Sequence, residues 1–361
     1  MRSGMFVFTL LLMQVFTFGL GRSLQWLFAP VIGKSGRRWL MAGAFLITNA
    51  LIAGLLLELG HSIFRVMAFW MVLLLFVMYA ALVTFLLHLL LRKLIPQKSL
   101  SRALRLFAPL FVIGLTAFAV HNTYTPVIRY QTVTINKKMD KSLRIGMASD
   151  LHLGVLFGSK QLDWLTDTMQ REKADIILLP GDLMDDNVKA FREKDMAPHL
   201  AKLHAPLGVY ATLGNHDLFG AQKQIQEALE KAGIRVLNNE VLRVDNLLLV
   251  GRVDDSDVKR PTTAKLLQGQ DTALPVILFD HRPSSIEQHA KLPVDVQVSG
   301  HVHNGQIAPA NLIVRALNRL AYGYEAIGNG HYFVTSGYGF WGIPLRLGSQ
   351  SEVWIIDVKG R

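Results

Sequence analysis

The chain has 361 residues, 51% of them hydrophobic, and it contains no cysteine. This length and composition exclude a disordered tail or a small disulfide scaffold, and the lack of cysteine excludes thiolate catalysis and cysteine-ligated zinc fingers. The formal net charge is +11. Residues 1–140 hold 14 basic and 2 acidic residues, whereas residues 141–361 hold 24 basic and 25 acidic residues. The second part is therefore close to neutral, so no nucleic-acid partner is specifically indicated.

Four apolar stretches precede residue 122, at about Gly4–Gly21, Trp39–Leu59, Val66–Leu91 and Leu106–Val120. Each is close to the roughly 20 residues that a helix needs to cross a bilayer core. We therefore expect a transmembrane region of about four helices over residues 1–121. A signal peptide in the first stretch, or buried helices of a soluble protein, are the alternatives. Three further apolar stretches disfavour the first, and the polar residues between the stretches disfavour the second.

The loops between these stretches predict an orientation. Basic residues follow the first stretch (Arg22, Lys34, Arg37 and Arg38) and the third stretch (Arg92, Lys93, Lys98, Arg102 and Arg105). Because basic loops stay in the cytoplasm, an even number of spans leaves both termini outside. We expect an integral membrane protein of the cell or inner membrane, with the part after a polar connector at 122–142 outside the cytoplasm. The orientation reverses if the short fourth stretch does not cross.

From residue 143 onwards, short apolar runs alternate with helical patterns. Strands are expected at Leu143–Ala148, Ile176–Leu179, Val209–Leu213, Leu247–Val250, Val276–Phe279, Val294–Val298 and Ser351–Val358, and helices at about Lys160–Glu172 and Ala221–Ala232. This alternation predicts a layered α/β domain over residues 143–361, in which helices pack on a sheet.

Polar side chains of the kinds that bind metals follow these strands directly. They are Asp150, His152, Asp182, Asn215, His216, Asp217, His281, His301 and His303. Because the carboxyl ends of neighbouring strands meet in one crevice, these side chains are expected to converge. Oxygen and nitrogen ligands without sulfur suit Mn, Fe, Zn or Co, and the set is large enough for two divalent ions with Asp182 as a bridge. Taken singly, each residue could instead be a helix cap, a turn residue or a surface histidine.

The order of these motifs resembles that of the calcineurin-like metallophosphoesterase superfamily. The motifs are Asp150-x-His152, Gly181-Asp182, Gly214-Asn215-His216-Asp217, His281 and Gly300-His301-x-His303, and the resemblance covers about 143–361. The tail sequence from Gly342 to Arg346 is similar to the membrane-associated bacterial branch, whose members are exported or membrane-anchored phosphohydrolases. The resemblance implies an α/β fold with two sheets flanked by helices, and a hydrolase acting on phosphoric ester bonds.

The resemblance also implies a role for each residue. Asp150, His152 and His303 bind one ion, Asn215, His281 and His301 bind the other, and Asp182 bridges them. A hydroxide held between the ions attacks phosphorus in line. His216 donates a proton to the leaving oxygen or binds the phosphoryl group, and Asp217 orients His216. The sequence departs from the usual branch pattern at Val302, at Asn304-Gly305 and at Ser349–Glu352, which puts substrate contacts in doubt rather than ligands.

Beyond the ligands, the sequence leaves several alternatives open. The expected substrate is a phosphodiester, with lipid-linked diesters among the candidates, and membrane lipids are the expected partners. A non-catalytic sensor or scaffold that keeps the metal fold is the alternative function. Transport is a third idea, but His88 and Glu58 alone do not form an ion path. The sequence does not fix the role of several other residues. Arg346 is a candidate phosphate clamp, and Asp185 and Asp186 are a candidate helix start. The remaining candidates are Asp254, Asp255 and Asp257, as ligands or a solvated loop, and Tyr322, Tyr324, Tyr338, Phe340 and Trp341, as a substrate groove or core.

Overall fold

A computed structural model describes residues 2–57 and 59–361 of the chain. Glu58, named above, lies outside the described residues. Contacts divide the chain into two compact units, Met1–Ala119 and Val120–Arg361, and each is described by itself.

The first unit consists of long apolar helices. They are α1 (Arg2–Leu27), α2 (Lys34–Leu56), α3 (His61–Leu91) and α4 (Gln97–Tyr124), the last of which ends in the second unit. All four are long and apolar enough to cross a membrane. The fourth is longer than the sequence predicted: it begins at Gln97, well before Leu106, and carries Pro109 in its interior.

Buried hydroxyl groups link the first three helices. Thr17 of α1 and Thr48 of α2 share a hydrogen bond of 2.8 Å between their Oγ1 atoms, and the indole Nε1 of Trp70 on α3 donates to Thr48 at 2.8 Å. Polar side chains between apolar helices need such partners, since an unpaired hydroxyl is costly in an apolar surrounding.

The second unit contains two six-stranded sheets. The first has the order β1-β12-β2-β3-β4-β5 and the second the order β10-β11-β9-β8-β7-β6. The strands are β1 (Val127–Thr134), β2 (Leu143–Met147), β3 (Ile176–Pro180), β4 (Val209–Thr212), β5 (Arg235–Val236), β6 (Glu240–Val244), β7 (Leu247–Arg252), β8 (Val276–Asp280), β9 (Val296–Ser299), β10 (Gly323–Ile327), β11 (Gly330–Val334) and β12 (Glu352–Lys359). Neighbours from β2 to β5 are parallel, as are β7, β8, β9 and β11.

Helices flank both sheets. They are α5 (Ser159–Arg171), α6 (Lys189–Glu193), α7 (Ala197–Leu200), α8 (Gln222–Lys231), α9 (Thr263–Leu267), α10 (Ile286–His289) and α11 (Ala310–Leu317).

The core follows from the alternation of side chains along each strand. In β3, Ile176 and Leu178 pack with Phe279 of the second sheet, whereas Ile177 and Leu179 pack in the cluster that holds α5 and α8. A third cluster, which includes Val250 and Leu278, packs α9 near the other face of the second sheet. Strands with apolar residues on both faces are buried on both sides, so the predicted two sheets flanked by helices are confirmed.

The expected polar connector at 122–142 is corrected by the structure. Residues 122–124 are the end of α4, and Val127–Thr134 form β1, which pairs with β12 along its whole length from Val127↔Glu352 to Thr134↔Lys359. The side chains of β1 are mostly half-buried or exposed because it is an edge strand, and this mixed pattern reads as a connector in the sequence.

Candidate metal centre

The predicted site residues follow the carboxyl ends of five parallel strands. Asp150 and His152 follow β2, Asp182 follows β3, Asn215 follows β4, His281 follows β8, and His301 and His303 follow β9. The first three strands belong to one sheet and the last two to the other, so the site lies where the two sheets present the same ends.

One group of potential ligands consists of Asp150, His152 and His303. One ligand atom from each lies within 4.8 Å of the others, and all three side chains are buried. The Nε2 atoms of His152 and His303 are 3.3 Å apart, and His303 Nε2 lies 3.4 Å from Asp150 Oδ1. Burial lowers the pKa of His152 to about 3 and holds the pKa of His303 well below its usual range. Both imidazoles are therefore neutral at pH 7, with lone pairs that can bind a cation.

A second group consists of Asp182, His281 and His301, again with one ligand atom of each within 4.8 Å of the others. His281 Nδ1 donates to the main-chain oxygen of Pro180 at 2.9 Å, and its Nε2 lies 3.1 Å from Asp182 Oδ2. Burial lowers the pKa of His281, but the carboxylate of Asp182 outweighs this and raises it to about 10. The surroundings of this nitrogen thus stabilise positive charge.

Asp182 lies between the two groups. Its Oδ2 atom is 3.1 Å from His281 Nε2 and 3.8 Å from His152 Nε2. Burial raises the pKa of Asp182, but the neighbouring imidazoles, His281 first, hold it below its usual range, so the side chain is an anion. One carboxylate between two ligand groups can bridge two cations and offset their repulsion.

A buried atom without a partner supports this assignment. Asn215 Oδ1 is buried and makes no hydrogen bond within the described residues. Such an atom is costly unless something satisfies it, and an amide oxygen is a ligand that divalent cations accept. The ligand set and this unpartnered oxygen fit two divalent metal ions.

The backbone at the ligands is strained. Asp150, His152, Asp182, His301 and His303 all have positive φ angles, between 44° and 73°. Each such residue costs on the order of 1–3 kcal/mol and persists only where the surroundings enforce it. The main-chain N–H of His301 donates to both carboxylate oxygens of Asp150, at 3.0 and 3.2 Å, and this links two of the strained turns.

Two motif glycines allow the turns to approach each other. A Cβ atom at Gly214 would overlap the carboxylate of Asp182, and one at Gly300 would overlap Ser149 Oγ and the carboxylate of Asp150. Any side chain at either position would displace a ligand, so the glycines are required for the geometry of the site.

The structure corrects the expected partner of His216. Its Nδ1 atom lies 2.6 Å from Asp186 Oδ1, so its hydrogen-bond partner is Asp186 and not the adjacent Asp217. Asp217 is buried, and its carboxylate accepts main-chain N–H groups of Leu183, Met184 and Gly214 at 2.9 to 3.1 Å. Asp217 therefore fixes the loops that carry Asp182 and Asn215, whereas Asp186 orients His216.

Asp186 is the partner of His216 that the sequence pattern did not identify. The interpretation of Asp185 and Asp186 as a helix start is wrong, because α6 begins only at Lys189. The signal in the sequence is an acidic pair that begins three residues after Asp182, on the same strand-end loop. Its partner is 30 residues away, so spacing alone did not identify it.

Arg346 does not reach the site as a phosphate clamp. Its side chain is fully buried, and its Nη2 donates to the main-chain oxygens of Ser336, Gly337 and Gly339 and lies 3.2 Å from His303 Nδ1. Arg346 therefore supports His303 from behind rather than contacting a ligand in the cleft.

An open cleft of about 650 Å³ lies over the metal groups. Its lining includes Asp182, His216, His301, His303, Asp255, Arg282, Ser284, Val314, Leu317 and Trp341.

Of the five aromatic residues that the sequence offered as a substrate groove or core, only Trp341 lines this cleft. Tyr338 and Phe340 are buried in the core, Tyr322 donates to Glu352, and Tyr324 packs on Phe333. Asp254 is buried and pairs with Arg282, so it is not part of a solvated loop.

Comparison with known proteins identifies the family of this chain. The family model for calcineurin-like phosphoesterases matches residues 143–305. An "uncharacterized metallophosphoesterase" of Aquifex aeolicus is 35% identical over 258 residues, which are 68% of this chain and 97% of that protein. A Helicobacter pylori protein of the same description is 32% identical over 60% of each chain. A zebrafish "transmembrane protein with metallophosphoesterase domain" is 30% identical over 60% of this chain and 53% of its own length.

Fold and site together define a metal-dependent hydrolase of phosphoric esters. The chain belongs to the calcineurin-like phosphoesterase family, as its motif order indicated.

Proposed function

We propose that this protein is a membrane-anchored hydrolase that cleaves phosphodiesters, including lipid-linked ones, with two divalent ions and an oriented histidine. The observation that carries the proposal is Asp182 between two buried ligand groups, with His216 beside them. The main-chain N–H of His216 donates to Asp182 Oδ1 at 2.9 Å, and its ring lies 5.0 Å from that of His152.

Each ligand group serves one ion. Asp150, His152 and His303 hold the first, Asn215, His281 and His301 hold the second, and Asp182 contacts both. When bound, the two ions supply positive charge that activates water and stabilises the phosphoryl oxygens. Which metals serve in the cell is set by supply as well as by these ligands; Mn, Fe, Zn and Co all suit the donor set.

His216 is placed to manage a proton. Because the carboxylate of Asp186 can only accept, Nδ1 of His216 carries a hydrogen and Nε2 is the atom free for the substrate. Burial lowers the pKa of His216, but the hydrogen bond to Asp186 and the charge of Asp182 outweigh this and raise it. We assign His216 as the donor of a proton to the leaving oxygen.

The cleft suits a diester with an apolar substituent. It is far larger than a phosphate group, which leaves room for two ester substituents. Helix α11 contributes Val314 and Leu317 to the lining and exposes Leu312 (64%), Ile313 (58%) and Leu317 (77%). Apolar side chains beside a phosphoesterase site favour a substrate that carries an alkyl chain.

The four apolar helices anchor the enzyme in this proposal. They are long enough to span a bilayer, and their basic loops favour the cytoplasm for the segments after α1 and α3. The catalytic unit then faces away from the cytoplasm, where envelope phospholipids are available as substrates or partners.

Turnover by the purified full-length protein tests the function. With Mn²⁺, wild type is expected to hydrolyse bis(p-nitrophenyl) phosphate faster than p-nitrophenyl phosphate, and Asp182→Asn and His303→Ala are expected to abolish both activities. The exposed His204→Ala is the matched control and should behave as wild type. Bound metal without turnover of either ester would contradict the enzyme and favour a sensor or scaffold.

A further inference from the structure

Arg282 is the only arginine or lysine among the residues that line the cleft. It directly follows His281, and its side chain is 29% exposed. Its Nε donates to Asp254 Oδ2 at 2.7 Å and lies 3.0 Å from Asp255 Oδ1. The other N–H groups of the guanidinium make no hydrogen bond within the described residues. One edge of the guanidinium is thus held by carboxylates, and its remaining donors are left for a ligand.

The carboxylates that hold Arg282 belong to a balanced ion network. Behind them, Asp280 accepts Arg252 Nη1 at 2.8 Å and Arg260 Nη1 at 2.9 Å. The network contains three arginines (Arg252, Arg260 and Arg282) and three carboxylates (Asp254, Asp255 and Asp280). Because Asp254 and Asp280 are fully buried, the network is a fixed part of the protein.

A guanidinium fixed in this way is well suited to phosphate. Arginine stays charged at every physiological pH, and its planar donors match the oxygens of a phosphate group. An arginine that is oriented before binding also loses less conformational freedom when the ligand arrives.

The reacting phosphoryl group is already provided for by other residues. The seven ligands, their ions and His216 meet its charge, whereas Arg282 is fixed by a separate network on the β8 side of the site. A charge in the same cleft but outside the ligand set is available for another anionic group of the substrate.

We propose that Arg282, positioned by Asp254, binds a second phosphate of the substrate next to the reacting one, so that the enzyme favours diphosphate diesters over esters with a single phosphate. This rests on the proposed phosphodiesterase function. In the reaction, the oxygen of water bonds to one phosphorus and the bridging P–O bond breaks. The bridging oxygen leaves with its electron pair on the second phosphate, which Arg282 contacts. One water is consumed, and two phosphomonoesters form.

The test compares two substrates in each variant of the full-length protein with Mn²⁺. Bis(p-nitrophenyl) phosphate has one phosphate, and the symmetrical bis(p-nitrophenyl) diphosphate has two. Arg282→Gln is expected to lower kcat/KM for the diphosphate by about 10- to 100-fold through a higher KM, the effect of losing hydrogen bonds to a charged group. The fall in kcat/KM of Arg282→Gln for the single-phosphate ester should be smaller by a factor of at least about ten. Arg282→Lys keeps the charge and should recover part of the difference.

Controls separate this inference from the proposed function. The exposed Arg243→Gln should leave both activities as in wild type, and metal content should match in all variants. Asp254→Asn should also raise KM for the diphosphate, because it loosens Arg282. Equal losses on both substrates in Arg282→Gln, or in Arg282→Lys if the first variant does not fold, would overturn the second phosphate site and leave the enzyme intact. No turnover by wild type would instead overturn the proposed function.

Discussion

His216 and Asp186 form a hydrogen-bonded pair, with Nδ1 of the histidine 2.6 Å from Oδ1 of the carboxylate. His216 follows β4 and Asp186 lies on the loop after β3, so two neighbouring strand ends bring the pair together. This contact fixes the tautomer and the ring orientation of His216 at the cleft.

Loss of the Asp186 carboxylate should lower turnover without removing metal. Asp186→Asn is expected to reduce kcat by about 10- to 100-fold, because His216 loses its orientation and part of its basicity. Metal analysis and steady-state kinetics measure the two effects, and the exposed Asp167→Asn is the matched control.

A double variant shows whether Asp186 acts through His216. His216→Ala alone should lower kcat by about 10²- to 10⁴-fold with metal still bound. Adding Asp186→Asn should then cost little more, because the two residues form one unit. Fully multiplicative losses would show that Asp186 acts separately.

Asp217 should matter for folding rather than for proton transfer. Its carboxylate accepts main-chain N–H groups from two loops, and the amide of Asn would place a donor against them. Asp217→Asn is expected to lower the free energy of unfolding by about 2–3 kcal/mol. Denaturant unfolding in detergent measures this. A variant as stable as wild type but inactive would restore a catalytic role for Asp217.

The close approach at Gly214 should make a single methyl group incompatible with metal binding. Gly214→Ala places a Cβ against the Asp182 carboxylate, so the proposed bridge is displaced and bound metal is expected to fall from two ions per chain towards none. Elemental analysis of the purified protein gives the stoichiometry. Gly33→Ala, where a Cβ meets open space, is the control. Full metal content in Gly214→Ala would remove Asp182 from the site.

His289 should make the protein less stable in acid. Its Nδ1 lies 2.8 Å from Gln297 Oε1, and its Nε2 lies 2.8 Å from Thr263 Oγ1 and 3.1 Å from Arg252 Nη1. Burial and the charge of Arg252 lower the pKa of His289 from 6.5 to about 4. The hydrogen bond to Gln297 raises this pKa, but by less. The unfolded chain therefore takes up a proton first, and stability falls as the pH drops from 6.5 towards 4, by up to about 3 kcal/mol.

The measurement is the unfolding free energy of metal-loaded protein at pH 7 and pH 5. His289→Gln removes the titrating imidazole. The unfolding free energy of this variant should therefore fall less between pH 7 and pH 5 than that of wild type. An equal loss in both proteins would show that His289 does not titrate in this range.

The proposed orientation can be tested with a reporter after Arg361. A reporter enzyme that works only outside the cytoplasm should be active when fused there. A reporter enzyme that works only in the cytoplasm should be inactive. The reverse result would place the catalytic unit in the cytoplasm and overturn the proposed orientation.

Much of the fold could be predicted because its signals are local. Uninterrupted apolar runs identify the long helices, and runs such as Ile176–Leu179, which end in Gly181-Asp182, identify buried strands and the polar residues after them. Strand ends in a parallel sheet meet at one edge, so the gathering of Asp150 and Asp182 was also predictable. The edge strand β1 was missed because its alternation is weak.

The sequence by itself determined the family, the layered α/β fold and the residue types of the metal centre, since each depends on patterns within a few residues. Only the tertiary structure decided which carboxylate holds His216, that Arg346 is buried behind His303, and that Asp254 fixes Arg282. These are contacts between residues 28 to 43 positions apart in the chain. Acidic residues that look alike in sequence differ only in what the folded chain places beside them.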